Sequence, residues 1–163
     1  MKRMLSLGLA ASLTLVSLGN FAAEPAGPPS PEEVAKRAIE TRQGLFKVIA
    51  GQWGPVAGML RNAPFDAAVA EKAGTRIEVL AGIIPEVFTN DTRKNGAAVK
   101  SAALEGIWTG QADFKAKADD LAKAARELSA AAKTGDQAKT KAAAGNVGKA
   151  CGGCHDTYRA KQS

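Results

Sequence analysis

The stretch Cys151-Gly152-Gly153-Cys154-His155, near the carboxyl end of the chain, places two thiols three residues apart and an imidazole directly after the second. This spacing is the attachment signature of a c-type haem, in which both thiols bond covalently to the porphyrin. Positions i, i+3 and i+4 share one face of a helix, so the three side chains would point the same way. His155 would then offer a ring nitrogen to the iron, while the two glycines keep that face free of bulk.

Three other chemistries use the same residue types. A disulfide between Cys151 and Cys154 would close a very tight loop, and a thioredoxin-like motif requires a βαβ context, for which the neighbouring sequence shows no strand pattern. A zinc site needs about four ligands. The chain has 1 histidine and 2 cysteines, so carboxylates would have to complete it. We therefore predict one haem c per chain, attached through Cys151 and Cys154, with His155 as the iron ligand.

The amino end has the pattern of an export signal. Lys2 and Arg3 precede an apolar run over residues 5–18, and small residues follow at positions 22 and 23. This pattern predicts a cleavable signal peptide over 1–23 and a flexible leader over 24–30, with an uncleaved membrane anchor as the alternative. Because haem is attached after export in bacteria, the signal and the haem motif together predict a periplasmic protein, free of the membrane after cleavage.

The charge of the chain indicates no special partner. The formal net charge is +6, and it falls to +4 without Lys2 and Arg3. Nucleic-acid binding proteins cluster their basic residues, often beside stacking aromatics. The lysines of this chain are scattered along the predicted helices, so we expect no nucleic-acid partner.

One helical domain is predicted over 31–163. Ser30, Pro31 and Glu33 form a capping box with proline in its preferred first position. Apolar residues then recur at spacings of three and four in four segments, which predicts four helices. The predicted core positions are Val34, Ala38, Leu45, Ile49, Trp53, Val56 and Leu60; Val69, Ala73, Ile77, Leu80 and Ile84; Phe114, Ala118, Leu121, Ala125, Leu128 and Ala132; and Ala143, Val147, Cys151, Cys154 and Tyr158.

Turn and capping residues separate these segments. Gly54-Pro55 should kink or break the first helix, and Pro85 should end the second. Asp66 and Asp136 should begin the second and fourth helices, and residues 86–109 form a long connection of the kind that is often functional. Four helices with mostly short links predict an all-α, antiparallel four-helix bundle. Its alanine-rich core needs another apolar body at the centre, which the haem would supply.

Several motifs follow one another in order along residues 30–161. They are Ser30-Pro31-Glu32-Glu33, Ile39-Glu40-Thr41-Arg42-Gln43, Ala63-Pro64-Phe65-Asp66, Ile107-Trp108, Ala112-Asp113-Phe114-Lys115, and Val147-Gly148 with Cys151, His155, Tyr158 and Arg159. In this order they resemble the cytochrome c′ family, the class II c-type cytochromes, which carry the haem motif in the last helix of a four-helix bundle. The connection departs from the family pattern, because it is longer and Leu104-Glu105-Gly106 replaces the usual Arg/Lys-Pro-Glu before Ile-Trp.

The resemblance implies roles for four further residues. Arg42 and Gln43 would lie near the haem propionates, Glu105 is the nearest candidate for a contact with the haem edge, and Arg159 would stand beside the proximal ligand. Arg42 also lies one turn before Phe46 on the same helix face, and a guanidinium pairs well with a carboxylate. The alternative for Arg42 and Gln43 is an ordinary solvated side chain, and for Arg159 it is a charge at the end of the last helix, favoured by the helix dipole.

The position that matches the distal residue of the family is Phe46, which cannot ligate iron. Met59 is the sole methionine after the signal, and it lies 13 residues beyond Phe46, about 20 Å along a helix. A lysine ligand would bury a charge in an apolar pocket. We therefore predict five-coordinate iron with Phe46 over the open site.

Two functions follow from this site. The first is binding of small gases, NO and CO, together with single-electron transfer; the alternative is a simple electron-transfer cytochrome with six-coordinate, low-spin haem. An enzyme is not expected, because no second histidine is left for acid–base catalysis on the distal side.

The resemblance also implies a homodimer through the first two helices, for which Ala57, Gly58 and Ala70 are candidate contacts. The redox partner is unidentified.

Overall fold

The computed structural model describes residues 27–96 and 99–161; the predicted signal peptide over 1–23 and the start of the leader lie outside them. Within these ranges the only strand-like feature is an isolated bridge between Ala103 and Arg159. None of the helices described is both long and apolar enough to cross a membrane. The helices are α1 Pro31–Leu60, α2 Ala67–Val87, α3 Gly106–Thr109, α4 Gln111–Lys133 and α5 Gln137–Tyr158.

The four long helices form a bundle in which each helix packs beside two others. Helix α1 packs beside α2 and α5, and α4 packs beside the same two helices, so α1 and α4 lie on a diagonal. The most extensive packing is between α2 and α4. Short turns join α1 to α2 and α4 to α5, as expected for antiparallel neighbours. The predicted all-α, antiparallel four-helix bundle is confirmed.

Local capping chemistry sets the helix ends where the sequence predicts them. The Ser30 hydroxyl accepts the Glu33 amide at 3.2 Å, and the Glu33 carboxylate accepts the Ser30 amide at 2.8 Å. Asp66 and Asp136 each accept an amide three residues on, both at 3.0 Å. Gly135, with φ of 71°, follows the end of α4, a left-handed conformation that suits glycine.

The predicted break at Gly54-Pro55 and the predicted helix end at Pro85 were wrong, while a kink at Gly54-Pro55 stays a prediction. The first helix does not break at Gly54-Pro55 but runs on to Leu60, and the second continues past Pro85 to Val87. Gly54 has no Cβ to clash with the following proline ring, and packing of the fully buried Val56 holds this part of α1 in place. Pro85 falls in the last turn of α2, where the helix is about to end.

The predicted core is confirmed in α4, where all six positions are buried, and largely confirmed in α2 and α5. At the start of α1 the predicted face was wrong by one position. Val34 is 39% exposed, whereas Ala35 and Ile39 are 3% and 2% exposed. The buried stripe passes through Arg42, a charged residue that a hydrophobic pattern does not include.

Two of the three candidate dimer contacts, Ala57 and Ala70, were also misplaced, whereas Gly58 is half-buried and stays a prediction. Ala70 is fully buried and Ala57 is 9% exposed, so both belong to the core of the subunit. The exposed apolar residues of α1 and α2 include Val48, Val79 and Ile83, which do not belong to the core. The first two line a shallow surface groove between the two helices.

Candidate haem site

Three side chains of the haem motif lie on one face of α5, in its last two turns. Cys151, Cys154 and His155 are half-buried, and the two cysteines are free thiols packed against the hydrophobic core. A Cβ added to Gly152 or Gly153 would meet nothing within 4 Å. The motif therefore offers two thiols and an imidazole beside open space, which fits the attachment of a porphyrin.

The protonation states of the two thiols and of His155 are also compatible with a haem-attachment site. Burial raises the pKa of both thiols, unlike the low-pKa thiolates of redox motifs. Burial, helped by the charge of Arg159, lowers the pKa of His155 and favours the neutral imidazole that binds metals. Across the described ranges no three His, Cys, Asp or Glu side chains are grouped so that they would hold a metal ion.

The register of α1 against α5 brings Phe46 to the level of His155. A Cβ on Gly148 would lie 3.5 Å from an indole carbon of Trp53, so these two residues meet. Seven residues back along α1 from Trp53 is Phe46, and seven residues on along antiparallel α5 from Gly148 is His155. Seven residues are about two helical turns, so both steps return to the same face at the same height.

The same register takes Met59 away from the site. Met59 lines a small cavity with Thr140 and Ala144, near the beginning of α5. His155 lies 11 residues after Ala144, about 16 Å further along the helix. Met59 is therefore at the far end of the bundle from the haem motif, as its position in the sequence predicts.

Phe46 is half-buried and meets Phe88 edge to face, with ring centroids 6.3 Å apart. Phe88 in turn packs against Trp108 and Phe114, and Phe114 packs against Tyr158. Sequence reasoning missed Phe88 because it expected the second helix to end at Pro85, although Phe88 lies four residues after Ile84 and continues the buried stripe of α2.

Arg42 is buried, only 3% exposed, so it is not a solvated helix charge. Its guanidinium donates to the carbonyls of Val87, at 2.8 Å, and Asn90, and to the Thr92 hydroxyl at 2.9 Å. These bonds use three of its five N–H donors, and a contact with a propionate stays a prediction. The sequence signal was the spacing of four and three from Ala35 through Ile39 to Arg42.

The other residues implied by the resemblance have partners within the chain. Gln43 donates its side-chain amide to the Lys100 carbonyl at 2.8 Å, and the exposed Glu105 pairs with Arg93. Arg159 is exposed at the end of α5, where its backbone N–H donates to the His155 carbonyl at 3.1 Å. Their contacts with the haem edge or the proximal face stay predictions.

Tyr158 ties the end of α5 to the start of α4. Its hydroxyl donates to Asp113 at 2.6 Å, and this bond to a carboxylate raises the pKa of Tyr158 to about 12. The indole N–H of Trp108 donates to the Phe88 carbonyl at 3.0 Å. These bonds hold the connection and the short helix α3 against the end of the bundle that carries the haem motif.

A four-helix bundle with a Cys-Cys-His attachment face in its last helix defines a c-type cytochrome of the bundle class. The sequence model of cytochrome c′ matches residues 37–159. A cytochrome c′ from Rubrivivax gelatinosus is 44% identical over 126 residues, covering 76% of this chain and 95% of that protein. The chain belongs to the cytochrome c′ family, and its cofactor is covalently attached haem c.

Solved structures agree with this assignment. A crystal structure of cytochrome c′ from Rubrivivax gelatinosus matches with a TM-score of 0.67 at 41% identity, covering 77% of this chain and 96% of that one. A nitric oxide complex of a mutant cytochrome c prime from Alcaligenes xylosoxidans matches with a TM-score of 0.67 at 31% identity, covering 78% and 97%. The bundle predicted from the helical pattern is thus the family fold.

Proposed function

We propose that this protein binds NO and CO at a five-coordinate haem iron held by His155, and that it also transfers single electrons. Haem c supplies an iron that takes a diatomic ligand and changes its charge by one electron. The observation that carries the proposal is the register of α1 on α5, which sets the apolar ring of Phe46 at the level of His155. An aromatic hydrocarbon side chain leaves the sixth position without a protein ligand.

Phe46 would select among gases by its size and its lack of polarity. It has no hydrogen-bond donor, and bound O₂ gains stability from a donor, whereas the uncharged NO and CO depend on one less. Phe46 also offers no acid or base, and the sole histidine of the chain is used as the ligand. We therefore propose binding and electron transfer rather than enzymatic catalysis.

The nitric oxide complex of the Alcaligenes relative supports this choice of ligand. The alternative, a six-coordinate electron carrier, requires a second side chain on the iron. Met59 lies at the other end of the bundle, and Lys47, the lysine next to Phe46, is exposed to solvent. These positions favour gas binding over the plain electron carrier.

The test is the CO affinity of the ferrous holoprotein after Phe46→Ala. Removing the ring should raise the affinity by about tenfold or more, because the ligand no longer spends about 1.4 kcal/mol displacing a packed side chain. Phe65→Ala is the matched control, since Phe65 is also half-buried but lines the cavity beside Met59. An unchanged CO affinity in Phe46→Ala would remove Phe46 from the distal side.

We also propose that the mature protein is periplasmic and forms a homodimer through α1 and α2. The export pattern supports the location, and the exposed Val48, Val79 and Ile83 on these helices support the dimer. Val79, at 63% exposed, is the most exposed of the three.

The dimer can be tested by light scattering, which should give a dimer mass for the wild type and a monomer mass for Val79→Glu. Leu104→Glu is the control, because Leu104 lies outside α1 and α2, and it should leave the dimer intact. A monomeric wild type at tens of micromolar would contradict the dimer.

A further inference from the structure

We propose that Phe88 is a positioning residue for gas binding: it limits the movement of Phe46, and thereby sets how strongly the distal side resists a ligand. This inference rests on the proposed function, because it assumes that Phe46 covers the open site. It adds a residue outside α1 and α5 to the determinants of gas affinity.

The contact between the two rings is the first step. Phe46 and Phe88 meet edge to face, with centroids 6.3 Å apart and planes 63° apart. Phe46 is half-buried, whereas Phe88 is 7% exposed and sits in the core. A gas that approaches the iron must displace the Phe46 ring, and one direction of that movement leads into Phe88.

Phe88 is held in place by its surroundings. Its ring packs against Phe114 at 5.0 Å and Trp108 at 6.2 Å between centroids, and the Arg42 guanidinium lies 4.6 Å from its centroid. Its backbone is tied as well, since its N–H donates to the Pro85 carbonyl at 3.2 Å and its carbonyl accepts the Trp108 indole N–H at 3.0 Å. Neither the ring nor the backbone of Phe88 is free to yield.

Arg42 secures the chain on both sides of Phe88. It bonds the Val87 carbonyl before Phe88, and the Asn90 carbonyl and Thr92 hydroxyl after it. Arg42 lies on α1 only one turn before Phe46. The same helix therefore carries Phe46, which covers the open site, and Arg42, which holds Phe88 in place. The Phe46 ring is therefore blocked from moving toward Phe88 when a ligand binds. A smaller side chain at position 88 should leave room for that movement.

The test is the rate and affinity of CO binding to the ferrous Phe88→Leu holoprotein. Loss of the ring should raise both by about two- to tenfold, the range that corresponds to one aromatic pair contact. Phe65→Leu, which makes the same exchange at the other end of the bundle, should change neither. Trp108→Phe keeps a ring but frees the Phe88 carbonyl, and it should shift CO binding in the same direction by a smaller factor.

A double-mutant cycle separates this inference from the proposed function. Phe88→Leu should have no further effect on CO binding in a Phe46→Ala background, and the two changes should also be non-additive in the denaturant stability of the holoprotein. If Phe46→Ala raises CO affinity but Phe88→Leu and Trp108→Phe do not, Phe88 has no positioning role and the proposed function stands. If Phe46→Ala has no effect on CO affinity, Phe46 does not cover the open site, and both that placement and the role of Phe88 are overturned.

Discussion

Trp53 on α1 lies against Gly148 on α5, close enough that a side chain at 148 would begin 3.5 Å from the indole. The contact fixes the register of the two antiparallel helices. Phe46 and His155 each lie two turns from this contact in the same direction, so they are at the same level of the bundle. The assignment of the distal and proximal sides depends on this register.

Covalent attachment of the cofactor depends on both thiols. Cys151→Ala combined with Cys154→Ala should yield a protein whose haem is removed by denaturation, because no thioether can form. The wild type should keep its haem under the same conditions, and its mass should equal the processed polypeptide plus one haem. A colourless wild type, made with the haem-attachment machinery present, would contradict the prediction.

Arg42→Lys should destabilise the holoprotein by about 2–3 kcal/mol, measured by urea unfolding. A lysine keeps the charge but cannot make three differently directed hydrogen bonds from one buried position. Arg126→Lys is the control, because Arg126 pairs with Glu78 at the surface and is 67% exposed. Its unfolding free energy should change by less than about 0.5 kcal/mol. If the two substitutions changed the unfolding free energy equally, the buried hydrogen bonds of Arg42 would stabilise the protein no more than a surface ion pair does.

Tyr158 should titrate far above the ordinary range of a phenol. It is the only tyrosine in the chain, so the ultraviolet absorbance of phenolate reports it alone, with a pKa of about 12 against an ordinary 10. Since the folded pKa is the higher one, its stabilisation is complete below about pH 10 and is lost as the pH rises toward 12. Asp113→Asn should bring the pKa back toward 10. A wild-type midpoint already near 10 would show that the bond to Asp113 is absent.

Alanine substitutions at two glycines of α2 should change the stability of the protein in opposite directions. A Cβ on Gly74 would lie 2.6 Å from the Ala125 carbonyl oxygen and 2.7 Å from the Ser129 nitrogen, so α2 and α4 would have to separate. Gly74→Ala should therefore destabilise the protein by about 1–3 kcal/mol. Gly82 has nothing within 4 Å of an added Cβ, so Gly82→Ala should stabilise by about 0.5–1 kcal/mol. Thermal unfolding of both holoproteins checks the sign, and a stabilising Gly74→Ala would contradict the close packing of α2 on α4.

The parts of this protein that local chemistry determines could be predicted from the sequence. Capping by Ser30, Asp66 and Asp136, and the apolar stripe of α4, depend on residues a few positions apart. The attachment motif is equally local, because its three functional side chains fall within one turn of α5. For these features the neighbours along the chain are also the physical partners.

The features that the sequence did not reveal depend on distant partners. Arg42 is buried because carbonyls and a hydroxyl more than forty residues away along the chain accept its hydrogen bonds, at separations of 45 to 50 residues. Phe88 continues the buried stripe of α2 beyond the proline expected to end that helix, and its role follows only from the rings that surround it. Gly54-Pro55 was expected to kink or break α1, but the helix continues through it, because packing of the adjacent buried Val56 outweighs the lost hydrogen bond.

The most direct test of the account is the optical spectrum of the reduced holoprotein before and after addition of CO. With Phe46 over an open sixth position, the unliganded ferrous protein should be high-spin, and CO should convert it to a low-spin spectrum. A ferrous spectrum that is low-spin without added ligand, and unchanged by CO, would show that a side chain already occupies the sixth position and would contradict the account.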